Sequence, residues 1–252
     1  MTAPKLTLIG AGPGDPDLLT IKGMKALESA DVVLYDALCN TALLNYAPAD
    51  CPKIFVGKRA GHHSLDQQAI NALILKLSKS HQHIVRLKGG DPLVFGRGFE
   101  ELIVAQQAQI TFEVIPGVSC INGVTGSNII PLTHRGLVRS FTVVTGTTCR
   151  GLISEDLNHA AKGSGTVAVL MGIKKLAEII AIFKAAREDC PIAIIENGSL
   201  PNQRILRGQL STIVELATKE NIQNPALIVI GEVVALQDML TTPEVLRLSE
   251  AG

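Results

Sequence analysis

The sequence predicts an α/β fold made of two α/β/α domains, on three observations. Short apolar runs alternate with stretches of helical spacing along the chain. The runs in the first half are close to continuously apolar, as strands of a parallel sheet covered on both faces are. Three glycine-rich turns each follow such a run. They are Gly10-Ala11-Gly12-Pro13-Gly14-Asp15 after Leu6–Ile9, Lys88-Gly89-Gly90-Asp91-Pro92 after Ile84–Leu87, and Pro116-Gly117-Val118-Ser119 after Phe112–Ile115. Glycine at a strand end permits a sharp turn and lets a ligand approach bare amides. Three such turns in one half of a chain predict one cleft at the carboxyl edge of a sheet, where open α/β folds bind ligands.

Leu6–Ile9 reads as the first strand. Leu18 to Ser29 has helical spacing, with Leu18, Leu19, Ile21, Met24, Ala26 and Leu27 mostly on one face. Asp31–Tyr35 and Lys53–Val56 read as strands. Gln67–Leu77 carries Ile70, Leu73, Ile74 and Leu77 as a core stripe. Ile84–Leu87, a helix around Phe99–Gln107 and the strand Phe112–Ile115 complete the first unit. Small residues after Gly117 read as helix before Pro131-Leu132-Thr133-His134-Arg135. The second unit has strands at Ser140–Thr145, Thr166–Met171, Ile192–Glu196 and Leu227–Ile230, and helices at Ile173–Ala186 and Leu210–Lys219. The boundary falls near Arg135–Leu137, giving domains of 1–135 and 136–252.

The composition excludes several classes. The 252 residues, 46% hydrophobic, suffice for a large core. Basic and acidic side chains balance at 23 each, against the basic surplus a general nucleic-acid binder needs. Aromatics are 3% with no Trp, so base-stacking platforms are scarce. The five cysteines are odd in number and none forms a CxxC pair, so they read as free thiols, mostly small buried apolar residues. The apolar run from Ala226 to Leu236 is broken by Gly231 and Glu232 and is too short to span a bilayer. The chain opens on Met1-Thr2-Ala3-Pro4-Lys5 without a charged, apolar leader, so the expected location is the cytoplasm.

The first turn invites a dinucleotide reading, because Asp36 ends the second strand about 20 residues on, where a ribose-binding acid sits. Two features oppose it. Asp15 stands where the third glycine would be, and Pro13 and Pro16 remove amide donors a pyrophosphate needs. Asp36 is then either a turn-capping carboxylate or a group that takes a proton or orients a substrate N–H. Lys58 and Arg59, in Gly57-Lys58-Arg59-Ala60-Gly61-His62-His63, are either solvated loop charges or acceptors for acidic substrate groups. Adjacent His62 and His63 are poorly spaced to chelate one metal, so no metal site is expected. Arg86, Lys88, Arg97, Arg135 and Arg139 place basic groups near the loops of a neutral chain, which suits a small anionic substrate better than a polymer. No GxSxG elbow, Walker lysine loop or HExxH is present, which leaves group transfer or binding.

Together these motifs resemble the tetrapyrrole methylase family, whose members are S-adenosylmethionine enzymes of two α/β domains with the cofactor in the cleft between them, unlike a Rossmann methyltransferase. The resemblance runs from Leu6 to about Asp238. Its anchors are GAGPGDPDLLT at Gly10–Thr20, ADVVLYD at Ala30–Asp36, VGKRAG at Val56–Gly61 and VRLKGGDPLVFGRG at Val85–Gly98, then IPLTHR at Ile130–Arg135, MG at Met171–Gly172, ENG at Glu196–Gly198 and PALIVIGEVV at Pro225–Val234. VGKRAG and PLTHR favour the branch that acts on uroporphyrinogen III over relatives acting on diphthine or ribosomal RNA.

The resemblance implies two methyl transfers, to C2 and C7 of uroporphyrinogen III, giving precorrin-2 for siroheme or cobalamin synthesis. It implies a homodimer, and no nucleic-acid or membrane partner. The positions that contact S-adenosylmethionine in the family fall on Pro13, Gly89, Gly90, Asp91, Val94, Ser119, Cys120, Met171 and Gly198. The proton acceptor and donor fall on Asp36 and Lys58. Some positions depart from the family pattern: Ala37 for arginine, His62 for tyrosine, Leu93 for phenylalanine, Phe99 for glycine, Cys120 for a small residue and Thr147 for histidine. These departures leave open another precorrin C-methyltransferase, or a protein that binds a tetrapyrrole without catalysis.

Overall fold

The computed structural model describes residues 3–57 and 66–241, in two compact units, Met1–Gly123 and Val124–Gly252. Among the described residues no helix is long and apolar enough to cross a membrane.

The first unit runs β1 (Lys5–Gly10), α1 (Ile21–Glu28), β2 (Val32–Tyr35), β3 (Lys53–Phe55), α2 (Gln67–Leu77), β4 (His83–Lys88), α3 (Gly98–Gln107), β5 (Thr111–Ile115), and the start of α4 (Cys120–Ser127). The five strands form one parallel sheet in the order β3-β2-β4-β1-β5. Alternate side chains feed two cores. Leu6, Leu8, Leu34 and Ile84 meet Ile70 and Ile74 of α2 and Leu102 and Ala105 of α3. Ile9, Val33, Val85, Leu87 and Ile115 meet Leu27 of α1 and the short helical segment holding Leu43 and Leu44. Both sheet faces are covered, so most strand positions are apolar.

Caps set the helix starts. Asp66 Oδ1 accepts from Ala69 N at 2.7 Å to open α2. Thr20 Oγ1 accepts from Gly23 N at 3.1 Å to open α1. This second cap corrects the expected apolar face. Asp15 and Pro16 begin a separate 3-10 turn over Pro16–Leu18, and α1 begins afresh at Ile21. The helical period therefore does not run through Leu18 and Leu19, and Ile21 is exposed.

On β5, Glu113 pairs with Lys5 of β1 at 2.6 Å and Lys22 of α1 at 2.5 Å. The Lys22 and then the Lys5 hydrogen bond hold its carboxyl down at about 2, below the usual 4.5. A depressed acid stabilises the fold above its unfolded value, and the gain is lost as pH falls through the folded value. Glu113→Gln is expected to lower the melting temperature at neutral pH, by the equivalent of about 1 kcal/mol or less for this exposed pairing. That difference should shrink as pH falls from about 4.5 to about 2. Melting curves of both proteins across that range check it.

The second unit contains β6 (Phe141–Thr145), α5 (Asp156–Lys162), β7 (Thr166–Leu170), α6 (Leu176–Ala186), β8 (Pro191–Glu196), β9 (Arg204–Gln209), α7 (Ile213–Lys219), β10 (Ala226–Ile230) and α8 (Asp238–Thr241). Its sheet has the order β6-β7-β10-β8-β9. Only β6 and β7 pair in parallel; β7, β10, β8 and β9 pair antiparallel. The core gathers Phe183, Ile179 and Ile180 of α6, Leu157 of α5, Ile213 of α7 and the inward residues of the strands.

Candidate active site

Strands β4, β1 and β5 are neighbours, so the three glycine-rich turns leave one sheet edge side by side, as the sequence predicts. They also bond to one another. Ala11 N donates to Lys88 O at 2.7 Å, Gly90 N to Gly12 O at 2.7 Å, and Gly12 N to Gly90 O at 3.3 Å. A Cβ on Gly117 would lie 2.6 Å from Gly10 Cα and would also overlap Gly90 O. Bare glycine is therefore what lets the turns close together. Asp91 joins two of them, its Oδ1 accepting from Leu93 N at 2.8 Å and its Oδ2 from Gly117 N at 3.1 Å. Gly117→Ala is expected to cost about 1–3 kcal/mol, because only backbone could yield to the new methyl. Urea unfolding of the variant measures this.

Other positions singled out in the sequence sit around this edge. Gly90 is left-handed, at φ +66°, and a Cβ there would come no nearer than 3.8 Å, to Cys120 N. Pro13 lies against Gly123, where a Cβ would come within 3.0 Å of the Pro13 Cγ. Ser119 Oγ accepts from Ile121 N at 3.4 Å at the start of α4. Leu93, Val94, Phe95 and Phe99 are exposed beyond the second turn, Phe99 by 66%. The strand order places β4 between β1 and β2. In a dinucleotide fold those first two strands are adjacent, so the geometry agrees with the two objections raised by Asp15 and the prolines.

Asp36 follows β2, next to β4. Its Oδ1 accepts from Leu38 N at 3.0 Å and from the Cys39 thiol at 3.4 Å, and its Oδ2 faces Arg86 Nη2 at 3.5 Å. Burial and then the Asp36 charge push the Cys39 thiol well up, so it stays protonated. Behind Asp36 lies a cluster that sequence reasoning misread. Arg86 and Lys88 were expected near the loops as groups for an anionic substrate. They are instead 3% exposed and turned into the α2–α3 core. The reason is strand alternation: Arg86 and Lys88 share a face of β4 with the core residue Ile84. Their partner is Glu101 of α3, fully buried. Glu101 Oε1 accepts from Lys88 Nζ at 2.9 Å, Arg86 Nε at 3.3 Å and Gln67 Nε2 at 3.3 Å, while its Oε2 has no partner among the described residues. Arg86 Nη1 also donates to Leu87 O at 2.6 Å. Burial and then the Arg86 charge lower the Lys88 ammonium below the usual lysine range, against the opposing pull of Glu101. Of the remaining basic groups, Arg97 pairs on the surface with Glu100 at 2.8 Å, and Arg135 and Arg139 are exposed.

Glu101 was missed, although a signal exists. It stands at helical spacing with Gly98, Leu102 and Ala105, all buried, so an acid occupies a core-stripe position. Lys58 and His62 lie outside the described residues. All five cysteines are free; Cys39, Cys51 and Cys190 are buried and Cys149 is exposed.

Within the second unit, Met171 directly follows β7 on a left-handed backbone, at φ +55°, and is 52% exposed. Thr147 Oγ1 donates to its carbonyl at 3.3 Å. Gly198 lies in the loop joining β8 to β9.

A parallel sheet of this strand order with a glycine cradle at its carboxyl edge, followed by a second mixed α/β unit, defines a two-unit α/β ligand-binding protein outside the Rossmann class. The family described as tetrapyrrole (corrin/porphyrin) methylases matches residues 5–214, and the chain belongs to that family. It is 45% identical over 238 residues to the uroporphyrinogen-III C-methyltransferase of Methanocaldococcus jannaschii, covering 93% of this chain and 98% of that protein. It is 47% identical over 240 residues to the siroheme synthase of Actinobacillus pleuropneumoniae serotype 7, covering 92% of this chain and 48% of that protein. The chain thus spans about half the length of the siroheme synthases it matches. The crystal structure of uroporphyrin-III C-methyltransferase from Thermus thermophilus complexed with S-adenosylhomocysteine is similar at a TM-score of 0.79 and 38% identity, over 92% of this chain and 99% of that one.

Proposed function

We propose that this protein is an S-adenosylmethionine-dependent C-methyltransferase that methylates uroporphyrinogen III at C2 and C7 to give precorrin-2, in siroheme and cobalamin synthesis. The glycine cradle at the carboxyl edge of β4, β1 and β5 carries this reading. It fits the cofactor because its bare glycines let a ligand come close to the backbone beside the exposed apolar side chains of Leu93, Val94 and Phe95, while the β4 cations are paired inside. S-adenosylmethionine supplies a sulfonium methyl that an electron-rich pyrrole carbon attacks directly, so no enzyme nucleophile is needed.

The protein's own task is then alignment and the handling of a proton. Pro13, Gly89, Gly90, Asp91, Val94, Ser119 and Cys120 of the first unit, with Met171 and Gly198 of the second, are the residues proposed to hold the cofactor. Asp91 sets the shape of the turns, each of its oxygens accepting one backbone N–H. Asp36 is the proposed proton acceptor. Its Oδ1 is fixed by Leu38 N, and its Oδ2 meets Arg86 only at 3.5 Å, which leaves lone pairs for a substrate proton. Lys58 is the proposed proton donor and a clamp for substrate carboxylates. A cytoplasmic homodimer belongs to this reading on the family likeness, and sedimentation of the purified protein tests the oligomeric part.

Anaerobic incubation with S-adenosylmethionine and uroporphyrinogen III, read by mass spectrometry beside calorimetry with S-adenosylhomocysteine, tests the function. A product heavier by two methyl groups supports it. Cofactor binding without any mass change contradicts the proposed acceptor and points to another precorrin.

A further inference from the structure

The loop from Asn197 to Gln203 holds a serine in a conformation that serine rarely adopts. Asn197 at φ +50° and Ser199 at φ +65° are left-handed residues on either side of Gly198. Such a conformation persists only where its surroundings over-determine it. Here they do. A Cβ on Gly198 would lie 2.6 Å from Val124 Cγ2, so the turn rests directly on that side chain. Asn197 N donates to Pro225 O at 2.9 Å and Leu200 N to Asn197 O at 3.0 Å.

A further hold is a pair of side-chain amides. Gln203 Nε2 donates to Asn128 Oδ1 at 2.8 Å, and Asn128 Nδ2 donates back to Gln203 Oε1 at 3.2 Å. Gln203 Oε1 also accepts from Ser199 N at 2.8 Å, and Asn128 Nδ2 donates to Val124 O at 2.8 Å. The backbone group at each end therefore fixes which way its amide points: Ser199 N–H demands an acceptor, and Val124 C=O demands a donor. Flipping either amide breaks the set. One end of the set is the Val124 carbonyl of α4 and the other is the Ser199 N–H of the turn.

We propose that Gln203 and Asn128 are positioning residues for the methyl donor: their reciprocal amide pair locks the Asn197–Ser199 turn so that Gly198 presents its backbone to S-adenosylmethionine. This rests on the reading of Gly198 given above. The pair has no part in proton transfer, so its loss should appear in cofactor affinity and not in tetrapyrrole affinity.

The test compares Gln203→Leu, Asn128→Leu and Gln203→Glu with the parent. Affinity for S-adenosylhomocysteine comes from calorimetry, KM for each substrate from initial rates, and the unfolding midpoint from melting. Gln203→Leu should weaken S-adenosylhomocysteine binding about tenfold, as expected when a backbone N–H loses its partner. The KM for uroporphyrinogen III should stay unchanged. Gln203→Glu keeps an acceptor for Ser199 N–H and should recover part of that loss. Unchanged S-adenosylhomocysteine affinity in both leucine variants overturns the proposal. So does a loss of both substrates' affinities in step with the melting midpoint, or a Gln203→Glu variant no better than leucine. Should the leucine variants not fold, Gln203→Glu alone decides, by whether cofactor KM rises while tetrapyrrole KM does not. A parent protein that binds no S-adenosylhomocysteine overturns the functional reading first.

Discussion

Glu101→Leu is expected to lose about 3–5 kcal/mol of stability, the range for removing one partner of a buried ion pair. The magnitude follows from what the carboxylate neutralises. Two cations on the central strand β4, Arg86 and Lys88, both reach Glu101 Oε1, and both are almost wholly shielded from water. The nearest other anion, Asp36, stands 3.5 Å from Arg86 and does not bond Lys88. Leucine would fill the volume and leave an ammonium and a guanidinium facing apolar side chains. Lys88 is already lowered by burial, and losing Glu101 removes a charge that opposes that shift. The second variant in the test is Glu101→Leu with Lys88→Met. Replacing buried charges together by apolar side chains is often neutral, but Arg86 stays, with Asp36 at 3.5 Å as its remaining carboxylate, so the double variant should recover part of the loss. Urea unfolding of both single variants and the double one gives the coupling. Additive losses would show that the cluster does not act as a unit.

Asp36→Asn is expected to lower kcat by about 10²–10⁴, the contribution of a positioned acid–base group. Asparagine keeps an oxygen for Leu38 N, so the turn after β2 retains its anchor. What it loses is the charge and the lone pairs of Oδ2. It also turns amide hydrogens toward Arg86, so a lower melting temperature is expected too, and turnover must be read well below it. Affinity for S-adenosylhomocysteine should hold, which separates loss of proton transfer from loss of the site. A variant with parental kcat would leave Asp36 only the turn-capping role.

Much of the first unit was legible because its signals are local. A covered parallel strand is a run of apolar residues, and a strand that ends on glycine announces its turn. The three turns could thus be placed on one sheet edge before any strand order was known. The order itself was not legible: that β4 enters between β1 and β2 is a tertiary choice with no local mark. β9 went unassigned because Arg204, Arg207 and Gln209 give an edge strand the polarity of a loop, a usual feature of edges. α5 is only seven residues long and shows too few turns for a period. In the site, Asp36 and the glycines could be named from motifs, while Glu101 could not, since its importance lies in facing Arg86 and Lys88 across the β4–α3 interface. Placing Arg86 and Lys88 near the loops for an anionic substrate overlooks strand alternation, which sends both into the core. Gln203 and Asn128, 75 residues apart, carry no joint signal in one sequence.

C-methylation of uroporphyrinogen III at two defined carbons is the reaction proposed for this chain. Carbon-13 NMR of the product made anaerobically from uroporphyrinogen III and S-adenosylmethionine labelled in its methyl group tests it most directly. Two labelled methyls, one on C2 and one on C7, are the predicted result. Label on nitrogen or on any other ring carbon, or an unlabelled tetrapyrrole from protein that binds S-adenosylhomocysteine, would contradict it.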